Sequence, residues 1–387
     1  MILFSTLLGI WVLIILIGLW AACIANLLHF KNAVSENPVD PLIKMTLIRP
    51  IKGLNDGMRQ ALESVAKSDL ENRLQILIAI ETETDPAYPI AIEFARSKKE
   101  KDISVILTGP SQNRMGKIHN MIEALPHAKN SFVIFSDADA WASPTLIEET
   151  ARAFSNGFDA IFALPYFLEP RNWAERSFAI ALNHGFSMPA ALSYHALNFP
   201  FTSGAWMGFS REALQKIGGL KPLEHQIADA YALGSAVLKT GGKCFLVNRP
   251  VFFKETTQNL KDTASHLSKW AAIIHSCLPR LYPFALFLSP IHAALFFLTW
   301  AMIYGKEISL AASLLIVIVV SRIMTGFIED LKIARQAMPL YAYLAIPLID
   351  LAETLVWVSG FRKTIEWRNK RYRLFPGGRS EVIGEKN

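Results

Sequence analysis

An α/β domain held between membrane helices is the architecture the sequence predicts, on three observations. From residue 42 to residue 278 short apolar runs alternate with amphipathic stretches, the pattern of strands and helices taking turns in one layered domain. The first thirty residues carry no Lys, Arg, Asp or Glu, and further apolar runs occur at 281–304, 309–327 and 339–360. Hydrophobic residues make up 52% of the 387 and charged ones 19%, more hydrocarbon than a soluble domain needs, so part of the chain belongs in lipid.

Residues 1–30 read as a transmembrane anchor, because the run from Leu3 to Leu28 is long enough, at about 1.5 Å per residue, to cross a hydrocarbon core of about 30 Å. A cleaved signal peptide is the competing reading. Such a peptide starts with basic residues and has an apolar core of about 7–15 residues, and this segment has neither. Residues 31–41 are a polar connector. In the 42–278 domain, 45–49, 74–80, 103–107 and 132–136 read as buried strands of a mostly parallel sheet, each short, apolar and followed by polar residues. Between them 57–67, 86–97 and 117–128 show helical spacing, with Pro86 suited to a helix start.

Residues 279–361 form the second membrane region. Its last run is interrupted by Pro347 and carries Asp350 and Glu353, which are costly at membrane depth unless they face protein or water. Two of the three runs are therefore expected to cross. That leaves the basic tail, 362–387, on the same side as the α/β domain, as the positive-inside rule asks.

The formal charge of +6 is modest and gathers in Arg362, Lys363, Arg368, Lys370, Arg371 and Arg373. Beside a membrane segment such a cluster favours anionic lipid headgroups, and nucleic-acid binding is set aside. Cys23, Cys244 and Cys277 are far apart and without ligand spacing, which excludes a disulfide framework and a structural zinc site.

The stretch richest in chemistry is Phe132-Val133-Ile134-Phe135-Ser136-Asp137-Ala138-Asp139, a hydrophobic strand ending in two carboxylates one residue apart. The ends of parallel strands are where an open α/β sheet forms its ligand crevice. Two aspartates there can hold Mg²⁺ or Mn²⁺ against a diphosphate. A bare Asp-x-Asp is otherwise an ordinary solvated turn, and the buried strand before it is what favours the metal. Arg49-Pro50-Ile51-Lys52-Gly53 follows the first strand, and Glu81, Glu83 and Asp85 follow the second. Acidic groups at successive strand ends can accept from a base or ribose, although ordinary loop polarity also accounts for them. Arg114 and Lys117 offer positive charge for phosphates, or else simply solvate a helix. Asp229 opens an amphipathic stretch and is either a helix cap or a base for an acceptor hydroxyl. His266, Lys269 and Trp270 share a helical face that suits a diphosphate or an acceptor, or a plain interfacial helix.

In this order the elements resemble the ceramide glucosyltransferase family and its bacterial relatives, inverting glycosyltransferases of the GT-A, family-2-like type. The matching pieces are Arg49–Gly53, Asp85-Pro86-Ala87, Asp137, Leu164-Pro165-Tyr166, Gly218-Gly219-Leu220, Asp229 and the string from Trp367 to Leu374. The resemblance implies a GT-A, Rossmann-like catalytic domain with an N-terminal transmembrane helix and C-terminal membrane helices. It implies a UDP-sugar donor, a membrane lipid acceptor such as ceramide or diacylglycerol, and Mg²⁺ or Mn²⁺. By the same carry-over Asp229, His266, Lys269 and Trp270 are catalytic, and Pro50, Lys52, Glu81, Glu83, Asp85, Lys117 and Asp137 bind the nucleotide sugar. Asp137 and Asp139 hold the metal. The expected location is the inner membrane of a bacterium, with the catalytic domain in the cytosol. Three positions depart from the family: Thr82 replaces Asp, Ala228 replaces Glu, and His266-x-x-Lys269-Trp270 stands for Gln/Arg-x-x-Arg-Trp. Two other classes compete: a processive polysaccharide synthase, which needs more spanning helices for a polymer channel, and an inactive nucleotide-sugar or lipid-binding scaffold.

Overall fold

A computed structural model describes residues 2–31, 40, 42–54, 57–197, 203–254, 259–368 and 370–385. Most of the 31–41 connector lies outside the described residues. The chain forms two compact units, each built from three chain segments: Asn32–Tyr166, Asn198–Thr256 and Lys363–Asn387 in one, Met1–Lys31, Phe167–Leu197 and Thr257–Arg362 in the other. This division differs from the sequence boundaries. Residues 167–197 and 257–278, read as part of the α/β domain, cluster with the apolar helices, and the C-terminal tail closes with the α/β unit.

The α/β unit is built on strands β1 (Met45–Ile51), β2 (Leu74–Ile80), β3 (Asp102–Leu107), β4 (Phe132–Ser136), β5 (Ala160–Phe167), β6 (Trp206–Ser210) and β7 (Cys244–Phe253). They form one sheet in the order β3-β2-β1-β4-β6-β5-β7. β1 lies parallel to β2 and β4, and β2 parallel to β3. β6 runs antiparallel to both β4 and β5. The parallel half is the part the sequence announced; the half from β6 to β7 makes the sheet mixed. Every residue of β2 is buried, because helices cover both faces of a parallel sheet. Met45, Leu47, Ile134, Leu146, Phe154, Ile161, Trp206 and Val247 fill the core. Trp206 satisfies its buried N–H by donating to Thr150 Oγ1 at 3.0 Å.

The connecting helices occupy Met58–Ser68, Tyr88–Ser97 and Gly116–Ala124. The second starts after Pro86, because the Asp85 carboxylate first accepts the Ala87 N–H at 2.9 Å and turns the chain. The third passes into a single 3₁₀ turn at Leu125–His127, where Pro126 has no N–H to continue the helix.

The tail is a second, antiparallel sheet: β8 (Thr364–Trp367), β9 (Lys370–Phe375) and β10 (Arg379–Glu385), with β9 in the middle. Of the basic cluster read from the sequence, Arg362, Lys363, Arg368, Arg371 and Arg373 are exposed and Lys370 is buried. Along β9 burial alternates, so Lys370, Tyr372 and Leu374 point inward while Arg371 and Arg373 point out.

In the other unit two helices, Leu3–Lys31 and Ile308–Ala334, are long and apolar enough to cross a membrane. A third candidate is the bent pair Leu260–Cys277 and Tyr282–Leu288, which meet at 118°. Of the three C-terminal apolar runs, then, one forms a helix of spanning length among the described residues, where two were expected. The run 281–304 breaks at Ser289-Pro290 into a 3₁₀ segment and the 15-residue helix Pro290–Tyr304. The run 339–360 divides into Leu340–Leu344 and the 14-residue helix Ile346–Ser359, with Pro347 in the first turn of the latter. Asp350 is tolerated there because Arg322 grips it with two hydrogen bonds, Nε to Oδ2 at 2.9 Å and Nη2 to Oδ1 at 3.0 Å. Asp350→Leu alone should destabilise the detergent-solubilised protein by about 3–5 kcal/mol, since it strands a buried guanidinium. The double variant Arg322→Met/Asp350→Leu should recover most of the melting temperature.

Candidate active site at the end of β4

Asp137 and Asp139 leave the sheet where its parallel half meets its antiparallel half, directly after β4. Beneath them lies Arg49 of β1, fully buried, whose Nη2 donates to Ser136 Oγ at 3.2 Å and to the Ala140 carbonyl at 2.8 Å. Burial pulls the Arg49 pKa down to about 10, while Asp139 and Asp137 push it back up. At neutral pH it remains a cation under two carboxylates.

Lys117, near the start of the helix Gly116–Ala124, reaches across this corner. Its Nζ stands 2.7 Å from Asp137 Oδ1 and 2.8 Å from Asp229 Oδ2. Gly204 makes the approach possible, because a Cβ there would come within 3.0 Å of the Lys117 Nζ and 3.4 Å of Asp229 Oδ1. Asp229 is the first residue of the helix Asp229–Lys239, whose cap position is Ala228, so its carboxylate is turned to Lys117 and makes no cap. The Asp229 Oδ2 contact with Lys117 is a partly buried ion pair. Burial works against the charge on Lys117, but Asp137 and Asp229 outweigh it and raise its pKa. Asp137 is also raised, by burial first and by its neighbours Asp139 and Asp229, with Lys117 opposing.

A second cluster lines the ends of β1, β2 and β3. Lys52 Nζ pairs with Glu81 Oε1 at 3.0 Å, and the Ser111 N–H donates to Glu81 Oε2 at 3.4 Å. Burial would raise the Glu81 pKa, yet Lys52 and Ser111 bring it below the ordinary value. Both Asp85 oxygens accept the Gly53 N–H at 3.0 Å, which holds Gly53 at φ +70°, a left-handed conformation suited to glycine. Pro50, half-buried, sits opposite Ala79 of β2, beyond the last residue of β1 that pairs with β4. Glu83 is elsewhere, accepting from the Tyr88 hydroxyl at 3.2 Å on the surface. Arg114 pairs with Glu123 at 3.3 Å.

His266, Lys269 and Trp270 lie on the helix Leu260–Cys277 of the other unit. His266 meets Trp270 edge-on, ring centroids 4.7 Å apart, and Phe178 lies 5.2 Å from the first and 5.5 Å from the second.

Sequence reasoning missed the support given by Arg49 and Gly204. Arg49 was visible only as the first letter of a motif, and Gly204 carried no signal. Asp137 and Asp139 offer the hard oxygen donors that Mg²⁺ or Mn²⁺ takes, an ion that habitually completes its shell with water and substrate phosphate. A group of three or more His, Cys, Asp or Glu placed to hold a metal ion is absent among the described residues.

The profile of glycosyl transferase family 21 matches residues 10–380. Ceramide glucosyltransferase 1 of Caenorhabditis elegans is 21% identical over 259 residues, covering 66% of this chain and 54% of that protein. Ceramide glucosyltransferase 3 of the same organism is 19% identical over 363 residues, 91% of this chain and 76% of the relative. The match thus spans about half the length of the first relative. Among solved structures, the mannosyltransferase PcManGT from Pyrobaculum calidifontis, in complex with GDP-Man and Mn²⁺, superposes with a TM-score of 0.50. That alignment covers 92% of this chain and 100% of that one at 17% identity, a likeness of fold. The GT-A α/β architecture expected from the sequence stands with it.

Removing the central cation should expose the repulsion it screens. In Lys117→Met, only Arg49 is left to offset the repulsion among Asp137, Asp139 and Asp229, so the folded state holds protons to higher pH than the unfolded chain does. Stability then falls as pH rises through the carboxylate range. The gap in melting temperature between wild type and Lys117→Met should widen from pH 4 to pH 7, as read by fluorimetric melts.

Proposed function

The chain belongs to glycosyl transferase family 21, and on that premise we propose that it moves a hexose, glucose foremost, from a UDP-sugar to a membrane lipid hydroxyl with inversion. Ceramide and diacylglycerol are the acceptors in view, with the α/β unit in the cytosol of a bacterium at its inner membrane. The observation that carries this reading is the Asp137–Lys117–Asp229 contact, which joins the carboxylate at the end of β4 to a second carboxylate fit to act as a base. The helices of spanning length support a lipid acceptor. The names of the C. elegans relatives support ceramide among such acceptors.

In the proposed reaction the acceptor hydroxyl gives its proton to Asp229, and its oxygen forms a bond to the anomeric carbon as the bond from that carbon to the diphosphate oxygen breaks. The nucleoside diphosphate leaves with the electron pair, and one displacement inverts the centre. Mg²⁺ or Mn²⁺ bound by Asp137 and Asp139 would supply the neutralising charge for the diphosphate. Lys117, held protonated by its raised pKa, pairs with Asp229 and adds a positive charge beside the leaving group. Lys52 and Glu81 stand at the strand ends for the nucleotide. His266, Lys269 and Trp270 take the part that the family resemblance implies, on the departing nucleotide or the lipid.

Membranes carrying the protein, incubated with labelled UDP-glucose, UDP-galactose and UDP-N-acetylglucosamine, should yield a labelled glycolipid identifiable by mass spectrometry and lost on chelation of divalent cations. Asp229→Asn should lower turnover by about 10²–10⁴-fold while donor binding persists. Wild-type turnover in Asp229→Asn would remove the base assignment, and the absence of any labelled lipid would remove the lipid acceptor.

A further inference from the structure

We propose that the C-terminal hairpin β8–β9 is a working part of the donor site, in which buried Lys370 pins the hairpin and Arg368 presents its guanidinium to the nucleoside diphosphate. The inference rests on the donor reading above and names a residue that reading does not use. Lys370 is 6% exposed, and its Nζ donates to Ser111 Oγ at 2.8 Å and to the Gln112 carbonyl at 2.6 Å, in the loop that follows β3. Ser111 is the residue whose N–H holds Glu81, and Glu81 pairs with Lys52. The first residue of β9 is therefore wired to the strand ends where an open α/β sheet binds its ligand.

Arg368 sits in the tight turn between the paired residues Trp367 and Lys370, with φ +48°. Asn or Gly ordinarily fills such a left-handed turn position, so local backbone preference does not account for arginine. Its side chain accounts for it. Arg368 Nη1 lies 3.7 Å from the point a Cβ on Gly53 would occupy, so the guanidinium rests over the Lys52-Gly53 turn after β1. There it is exposed, and its planar fork matches two phosphate oxygens in a way an ammonium does not. A second seam fixes the same small sheet. The Ile227 N–H donates to the Gly378 carbonyl at 3.0 Å and the Ser380 N–H to the His225 carbonyl at 2.7 Å, in the segment leading into Asp229. The tail sheet is thus tied to the loop after β3 on one side and to the approach to Asp229 on the other.

The test is calorimetric titration of UDP, with Mn²⁺ present, into the full-length protein in detergent. Arg368→Ala should raise the Kd for UDP by about tenfold or more, and Arg368→Lys should restore part of the loss, since charge returns without the fork. Lys239→Ala, which removes a positive charge at an exposed helix end, should match wild type. Unliganded Arg368→Ala should still melt cooperatively, so that its loss of UDP affinity is read on folded protein, and the partial return in Arg368→Lys marks the charge itself as the donor contact. If wild type binds UDP and Arg368→Ala binds it equally well, the hairpin is structural only and the proposal falls while the donor reading stands. If wild type binds neither UDP nor GDP, the donor reading itself falls and takes the proposal with it.

Discussion

One ammonium group between two carboxylates organises the candidate site. Asp137, Asp139 and Asp229 converge on a half-buried corner, and carboxylates so close repel one another and favour protonation, which would defeat both a metal site and a base. Lys117, at 2.7 and 2.8 Å from two of them, resolves that conflict, and Arg49 supports the first two from below. Much of the local architecture follows from placing that lysine. Gly204 has no side chain because Lys117 and Asp229 occupy its space. The helix of Asp229 starts at that residue with no side-chain cap, so a carboxylate that would stabilise the helix end by capping is committed to the lysine.

The sheet explains why these groups meet. β4 pairs in parallel with β1 on one side and antiparallel with β6 on the other. The loop leaving β4 therefore opens at the edge of the parallel half, beside the start of β6. Gly204 stands just before β6, and the β4–β6 register, in which Ser136 faces Trp206 and the Asp137 N–H donates to the Ala205 carbonyl at 3.3 Å, places it one residue past the position opposite Asp137. A wholly parallel sheet would send a helix crossover through that space. The antiparallel half keeps it open for Asp229 to enter from a later segment.

The parallel half and the Asp137-Ala138-Asp139 ending were legible in the sequence because both are local: β1, β2 and β4 are short apolar runs with polar residues behind them. β5, β6 and β7 were not, since Trp206–Ser210 and Cys244–Phe253 mix small, polar and proline residues and are buried by partners far away in sequence. The lysine bridge was half legible. Lys117 read as a phosphate ligand from its place at a helix start, and Asp229 as a base or a cap, but only the tertiary fold joins the two. The strands of the tail escaped notice for a different reason. Charge counting groups Lys370, Arg371 and Arg373, whereas the period of two in Lys370-Tyr372-Leu374 separates an inward lysine from outward arginines.

The departure from the family at Thr82 can be weighed on the same physical grounds. An acidic group lost from that position has two neighbours to replace it, and their surroundings differ. Glu83 accepts from the Tyr88 hydroxyl on an exposed surface, an interaction that leaves its charge in water. Glu81 has a side chain only 11% exposed, is held by Lys52 and the Ser111 N–H, and has its pKa lowered, so it is a fixed carboxylate with little conformational freedom left to lose on binding. Thr82 meanwhile shares a hydrogen bond with Thr84 at 2.8 Å, which holds its hydroxyl locally. The substitution therefore leaves the strand end with a usable acidic group, one residue earlier in the chain. That carboxylate is also the one joined through Ser111 to Lys370, so the same bond network ties the C-terminal sheet to the end of β2.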